Sequence, residues 1–467
     1  MGHRRGRAAG TGPVAGTAIV VGASMAGLCA ARVLAERFGD VVVIDRDALS
    51  DGAGWRHQVP QGRHAHLLLY AGGQLLEEWF PGISEQLVAG GATDVDVCRD
   101  LYWHQAGGVL RRPASRLRGP AMSRPYLEAT VRDRVADLPN VVIRDRTAVT
   151  GVEADAAHGR ITGVRLADGS AAGCDLLVDS TGRQARSLEW LKPLGYDAPP
   201  TSVVGVDTRY ASRTYRRTEQ PVRDWKAAGV VGAPATRRMA IALPLEGDRW
   251  IVTLAGLNGE TPPADEEGRL RFARSLEDPV IAEVMAVSEP LGEPVSYRFP
   301  ANLRRHVERL RRFPLGWITI GDAVASFDPV YGQGMTSAAQ QAAALGACLD
   351  LHGTLDRAFS RRFFRAAAHT VNVPWSLAVG GDFAYADTTG RKPPGTDLLN
   401  RYVERVTVAA QHDDDVLIRF NEVAGLARRP ESLLAPGFAV RALRTARRGP
   451  VGPATARAAG TRADAGE

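Results

Sequence analysis

Two stretches far apart in the chain carry residue types and spacings that could do chemistry. The first is Gly22-Ala23-Ser24-Met25-Ala26-Gly27. Gly22 allows a tight turn, and Gly27 lets a following helix pack closely on a sheet. Ser24 takes the place between them where a diphosphate would approach; serine is small and its hydroxyl can donate to phosphate. A helix starting here would add free backbone N–H groups and a partial positive charge. Asp45 follows 18 residues after Gly27, with Arg46 beside it. A carboxylate at that place accepts from both ribose hydroxyls of an adenosine and repels a 2′-phosphate, which favours FAD or NAD over NADP. The plainer alternative, a glycine turn that merely permits packing, leaves the terminal acid without a purpose.

The second stretch is Ile320-Gly321-Asp322-Ala323, followed by Phe327-Asp328-Pro329-Val330-Tyr331-Gly332-Gln333-Gly334-Met335. Asp322 could hold a hydroxyl of a ribityl chain or a ribose. Gly332 and Gly334 let backbone come close to a flat ring. The N-terminus of a helix opening after them could stabilise negative charge on a reduced, anionic flavin. Gly-Asp and Pro-x-x-Gly are also ordinary turn residues. No Ser-His-Asp or paired-carboxylate pattern nominates a catalytic acid or base. Cys29, Cys98, Cys174 and Cys348 lie far apart, with no CxxC and no Cys/His pair at zinc spacing. Neither a metal site nor a secreted disulfide framework is expected, and a reducing cytoplasm fits.

These residues need elements to position them. A β-branched strand at 17–21, a helix at 26–38 stopped by Gly39 and a strand at 41–44 form a β-α-β unit, the start of a doubly wound sheet. A long loop covers 46–66. Helices are expected at 67–79 and 123–138, the second opened by Ser123 and Pro125. Strands follow at 141–154, 161–167 and 174–179. From 196 to 300 the pattern becomes that of a mostly antiparallel sheet, with strands at 202–212, 238–245 and 249–257 and helices within 264–287. A strand at 317–320 and an Ala-rich helix at 333–351 restore the β-α logic, and further helices fill 354–425. The fold class is therefore α/β: a Rossmann-like dinucleotide-binding domain in two parts (17–195 and 301–352), an inserted antiparallel substrate domain (196–300) and a helical C-terminal part (353–440). Residues 1–16 read as a loose arm and 441–467 as a disordered tail.

Composition narrows the function classes. The chain has 467 residues, 45% hydrophobic and 24% charged, which is ordinary globular usage. The net charge of +6 comes with 58 basic residues, of which only Lys192, Lys226 and Lys392 are lysines. The arginines are scattered among acids without interleaved aromatics, so the bias records a GC-rich gene and no nucleic-acid partner is expected. The apolar stretch from 17 to 35 is broken by Gly22, Ser24 and Gly27, so it reads as fold and not as a signal peptide or membrane span.

Taken together, the Gly22–Gly27 motif, Asp45, Gly321-Asp322, Pro329 and Gly332-Gln333-Gly334-Met335 resemble the FAD-dependent monooxygenases of the aromatic-hydroxylase fold, over residues 17–380. Further stretches are similar to the flavin epoxidases of actinobacterial polyether-polyketide biosynthesis: Val59-Pro-Gln-Gly-Arg63-His64-Ala-His66, Asp175-Leu-Leu-Val-Asp179-Ser-Thr-Gly182-Arg183, Gly247-Asp-Arg-Trp250, 318–335 and Pro374-Trp375. The resemblance implies bound FAD, with Gly22, Ser24, Met25, Ala26 and Gly27 at the diphosphate, Asp45 and Arg46 at the adenosine ribose, and Arg124 at the diphosphate and adenosine side. Asp322 would hold the ribityl or diphosphate end, and Pro329, Gly332, Gln333, Gly334 and Met335 would line the ring. Arg63 and His66 lie on a loop that in this fold passes near the flavin; for His64 and His66 a structural hydrogen bond is an equal alternative. The implied reaction uses dioxygen and a flavin C4a-hydroperoxide to epoxidise or hydroxylate a hydrophobic polyketide or terpenoid-like intermediate. Tyr210, Met239, Trp250 and Tyr297 are candidate substrate-lining residues, although such residues are more often core.

Two departures from the family's pattern matter. Thr181-Gly182 stands where the aromatic hydroxylases carry Asp-Gly, so the electron source is either NAD(P)H or reduced flavin from a partner reductase. Gln333 stands where the polyether epoxidases carry His. Ring hydroxylation of an aromatic polyketide, halogenation (although no W-x-W-x-I-P motif occurs), prenyl-chain reduction and a non-catalytic flavoprotein are the alternatives.

Overall fold

A run of small and β-branched residues opens the first strand of the computed structural model, which describes residues 14–49, 52–56, 59–218 and 224–452. This strand, β1 (Val14–Val21), leads into helix α1 (Met25–Ala35) and strand β2 (Phe38–Ile44). Ala18, Ile19 and Val20 are completely buried, as befits a strand covered on both faces. The helix ends earlier than its apolar spacing suggests. Glu36 caps it, Phe38 already belongs to β2, and Gly39 lies inside the strand and does not stop the helix. The buried ring of Phe38 explains this: it anchors the start of β2 in the core.

Helix α2 (Arg124–Ala136) is capped by Ser123, whose hydroxyl accepts from the Tyr126 N–H, with Pro125 in its first turn. It is followed by β3 (Val141–Arg144); β4 (Leu176–Asp179) comes later. With β5 (Trp317–Thr319) these strands make a five-stranded, all-parallel sheet in the order β5-β4-β1-β2-β3. The expected strand at 141–154 is thus two elements. Its second half, Val149–Asp155, leaves for a small antiparallel sheet with Arg160–Leu166 and Ala171–Gly173.

The large sheet is built on two 16-residue strands, Thr201–Arg216 and Pro290–Arg305, which pair antiparallel along most of their length. Arg249–Gly256, Arg238–Leu245 and Ala227–Val231 extend it. Beyond them Leu101–Gln105 joins in parallel. The sequence pattern marks no elements between residues 90 and 121, yet this stretch supplies two strands to the large sheet and a separate pair, Thr93–Asp96 with Arg118–Ala121.

Helix α3 (Gly334–Leu351) packs on α1 and on α4 (Arg357–Asp382). The last helix, α5 (Pro436–Thr445), buries Phe438 and Ala442, and the Val451 N–H donates to Gln411 Oε1 at 2.7 Å. Residues 441–452 are therefore ordered, contrary to the expected tail. Its remainder at 453–467, like residues 1–13 of the expected arm, lies outside the described residues, and residues 14–16 belong to β1. The four cysteines are unpaired; Cys29, Cys98 and Cys348 are buried, and burial pushes the Cys29 and Cys174 thiols up to about 12. Among the described residues no helix is long and apolar enough to cross a membrane, and no group of three or more His, Cys, Asp or Glu could hold a metal.

Candidate dinucleotide and active-site cleft

Between β1 and α1 the chain turns at Gly22, with φ at +108° and its N–H donating to Ile44 O. A Cβ on Gly22 would lie 2.7 Å from Ser180 O, and one on Gly27 only 1.8 Å from Gly22 O. The spacing of the two glycines is thus a steric requirement. Ser24 is the N-cap of α1, but its hydroxyl does not cap the helix. It donates instead to Glu128 Oε2 (3.0 Å) and accepts from Arg124 Nη2 (3.0 Å). The N–H groups of the first turn of α1 are therefore left for a ligand.

Asp45, at the end of β2, is nearly buried. Its Oδ2 accepts from the Ala23 N–H and from Arg56 Nη2, both at 2.6 Å, and its Oδ1 from the Asp47 N–H at 2.9 Å. A carboxylate can accept about four hydrogen bonds, so Asp45 retains capacity for a ribose hydroxyl. Arg124 opens α2 and reaches Ser24, Glu128 and the Nε2 of His66 (3.2 Å). Because His66 Nδ1 lies 2.9 Å from the His64 carbonyl oxygen, Nδ1 carries the proton and Nε2 accepts from Arg124. Burial, with the Arg124 charge beside it, pushes His66 down to about 3, so the ring is neutral at pH 7.

The other end of the cleft is made by the loop before α3. Gly321 has φ at +67°, and a Cβ there would meet the Ala26 side chain at 2.7 Å, so the second motif is pressed against the first. Asp322 forms no hydrogen bond with any described residue. Burial raises its pKa, while the positive charges of Arg124 and Arg183 act against that rise. Gly332 is left-handed, with φ at +65°, and sits against Leu67 and Leu69. Gln333 is 4% exposed, and its Oε1 has no partner. The loop is tied down from below: Asp328 accepts from Thr208 Oγ1 (2.5 Å) and the Tyr210 hydroxyl (2.8 Å), and Asp382 from Asn302 Nδ2 (2.6 Å) and the Tyr331 hydroxyl (2.9 Å).

One open cleft of about 520 Å³ joins the two ends. Its wall includes Gly22, Ser24, Met25, Ala26, Asp45, Arg46 and Arg124 at one end, and Asp322, Pro329, Gly332, Gln333, Gly334 and Met335 at the other. Gly27 lies behind the wall, where it permits close packing. Arg63 is not on the wall: it is exposed, with its guanidinium 5.9 Å from the Trp55 ring. None of the four substrate-lining candidates reaches the wall either. Trp250 is buried in a cluster behind the large sheet, under the Arg217 guanidinium. Tyr210, Met239 and Tyr297 pack together in another cluster, with His64 within 5.8 Å of Tyr210 and 5.7 Å of Tyr297 between ring centroids. Conversely, Arg56, Thr147–Thr150, Thr181, Arg186 and Trp190 line the cleft and were absent from the sequence-derived site. Only Glu128, which joins Arg56 and Arg124, had a local signal, its i,i+4 spacing from Arg124.

No family model matches the sequence. The chain is 33% identical over 395 residues to Protein Rv3254 of Mycobacterium tuberculosis, which covers 81% of this chain and 82% of the relative. Among solved structures it is similar to the flavin-dependent brominase Bmp2 (TM-score 0.64, 14% identity, 93% of this chain and 99% of that one). It is also similar to PqsL, a probable FAD-dependent monooxygenase from Pseudomonas aeruginosa (TM-score 0.57, 19% identity, 80% and 98%). The chain belongs to the family of Protein Rv3254 and has the fold of the flavin-dependent monooxygenases and halogenases.

Proposed function

We propose that this protein binds FAD and is a flavin-dependent monooxygenase that epoxidises or hydroxylates a small hydrophobic substrate. The observation that carries the reading is that the two motifs wall one cleft. The Asp322 carboxyl, which bonds to no described residue, and the unpaired Gln333 Oε1 line its ring end, and the tight turn at Gly22, where a Cβ would strike Ser180 O, forms the other. Asp45 would take a ribose hydroxyl, and Ser24, Arg124 and the start of α1 the diphosphate. Asp322 would accept from the ribityl hydroxyls. Bound FAD would supply the activation of dioxygen. The chain's own part is to orient the ring and the substrate, to exclude water, and to offer the N-terminus of α3 to negative charge on the reduced ring. The electron source is reduced flavin from a partner reductase or NAD(P)H. Purified protein should be yellow and should incorporate one atom of labelled dioxygen into its product. Protein that stays colourless after incubation with FAD would exclude the reading. The likeness to Bmp2 supports halogenation as a second reading; a halogenated product formed only with added halide would establish it.

A further inference from the structure

We infer that Arg56 is a positioning residue that pre-forms the diphosphate-binding turn and neutralises the acids around it; this rests on the FAD reading above. Its guanidinium is nearly buried. Nη1 donates to the Ala23 carbonyl (2.9 Å) and to Glu128 Oε1 (2.7 Å), Nη2 to Asp45 Oδ2 (2.6 Å), and Nε to Asp47 Oδ2 (3.3 Å). Asp45 in turn accepts from the Ala23 N–H. The Asp45–Arg56 pair therefore grips both polar groups of one residue inside the Gly22–Gly27 turn and fixes the peptides on either side of it. Four donor contacts leave one of the five guanidinium N–H groups unspent.

The charge balance points the same way. Asp45, Asp47 and Glu128 place three carboxylates beside a turn that must receive a doubly negative diphosphate. Without a cation among them they would repel it. Arg124 contacts Glu128 but not the two aspartates, whereas Arg56 contacts all three acids. Its planar fork reaches four acceptors at once, one more than the three donors of an ammonium can serve. Arg56 lies outside both glycine motifs, on the loop after β2, and acts on the cofactor site through Ala23, Asp45 and Glu128.

The test compares FAD and ADP, because ADP occupies the turn without reaching the ring end. Affinities are measured by fluorescence quenching for FAD and by calorimetry for ADP, on the full chain freed of flavin. Arg56→Met should weaken both ligands by the same factor, tenfold or more, and Arg56→Lys should fall between it and the parent. Gln333→Ala should weaken FAD and leave ADP unchanged. Should Arg56→Met fail to fold, Arg56→Lys carries the comparison, with circular dichroism confirming its fold. Unchanged ADP and FAD affinities in a folded Arg56 variant would overturn the inference while leaving the FAD reading intact. A parent chain that binds neither ligand would overturn both.

Discussion

His64 and His66 sit two residues apart and are both held neutral, at about 4 and about 3 against an ordinary 6.5. Burial is the main cause for each, with Arg63 adding to it at His64 and Arg124 at His66. Both values are depressed on folding, so the unfolded chain takes up these protons first as the pH falls. The stability they confer is complete above pH 6.5 and is lost progressively toward pH 4 and below. At pH 5 the loss should be roughly 2 kcal/mol for each ring. Urea midpoints at pH 7 and pH 5 would measure it, and His66→Gln should shrink the difference. At this scale the sequence was legible where one residue type has one physical job. Gly22 and Gly27 could be read because no side chain fits there, and Asp45 because it ends a strand beside a turn. Arg56 could not be read, because its role depends on Ala23, Asp45 and Glu128 meeting in space. Arg63 looked equivalent on the same loop, yet it stacks on Trp55 at the surface.

The loop before α3 is an element supported by two buried carboxyls. Burial and the nearby Asp328 push Asp382 up to about 8 from an ordinary 3.8. Asn302 bridges the pair, donating to Asp382 and accepting from the Asp328 N–H at 2.6 Å. Because the folded value is raised, the folded state holds the proton longer than the unfolded one. Stability from this site is complete below pH 4 and declines as the pH rises through about 8. Asp382→Asn should flatten that decline, which denaturation at pH 5.5 and pH 8.5 would test; a steeper decline in the variant would contradict the argument. Helix α3 and three strands of the large sheet, Thr201–Arg216, Arg238–Leu245 and Arg249–Gly256, were legible from pattern alone, whereas Ala227–Val231 and the long Pro290–Arg305 were not. The strands between residues 90 and 121 were not, since they are two to five residues long and take their pairing from a sheet assembled by later segments. The final helix was missed because Phe438, Ala442 and Ala446 form a thin apolar stripe among arginines.

At the scale of the whole molecule, the cleft is walled by two segments far apart in the chain, 21–190 and 322–338, so a ligand filling it ties them together. FAD at a hundredfold excess over its dissociation constant should add about 2.7 kcal/mol to the unfolding free energy, and the thermal midpoint should rise with ligand concentration. A midpoint that does not move with FAD would argue against a site that spans both segments. The doubly wound sheet with its antiparallel companion was readable in advance because each layer has its own hydrophobic period. The burial of Cys29, Cys98 and Cys348, with Cys174 half-buried, has a chemical corollary. Flavin enzymes that handle dioxygen shed hydrogen peroxide when turnover is uncoupled, and peroxide oxidises exposed thiolates far faster than sheltered thiols. With Cys29 and Cys174 held as thiols far above neutrality and Cys98 and Cys348 enclosed in cores, sulfenic acid formation has little foothold. Under the oxygen chemistry proposed above, the protein would withstand stray peroxide without a protective reductant in the buffer.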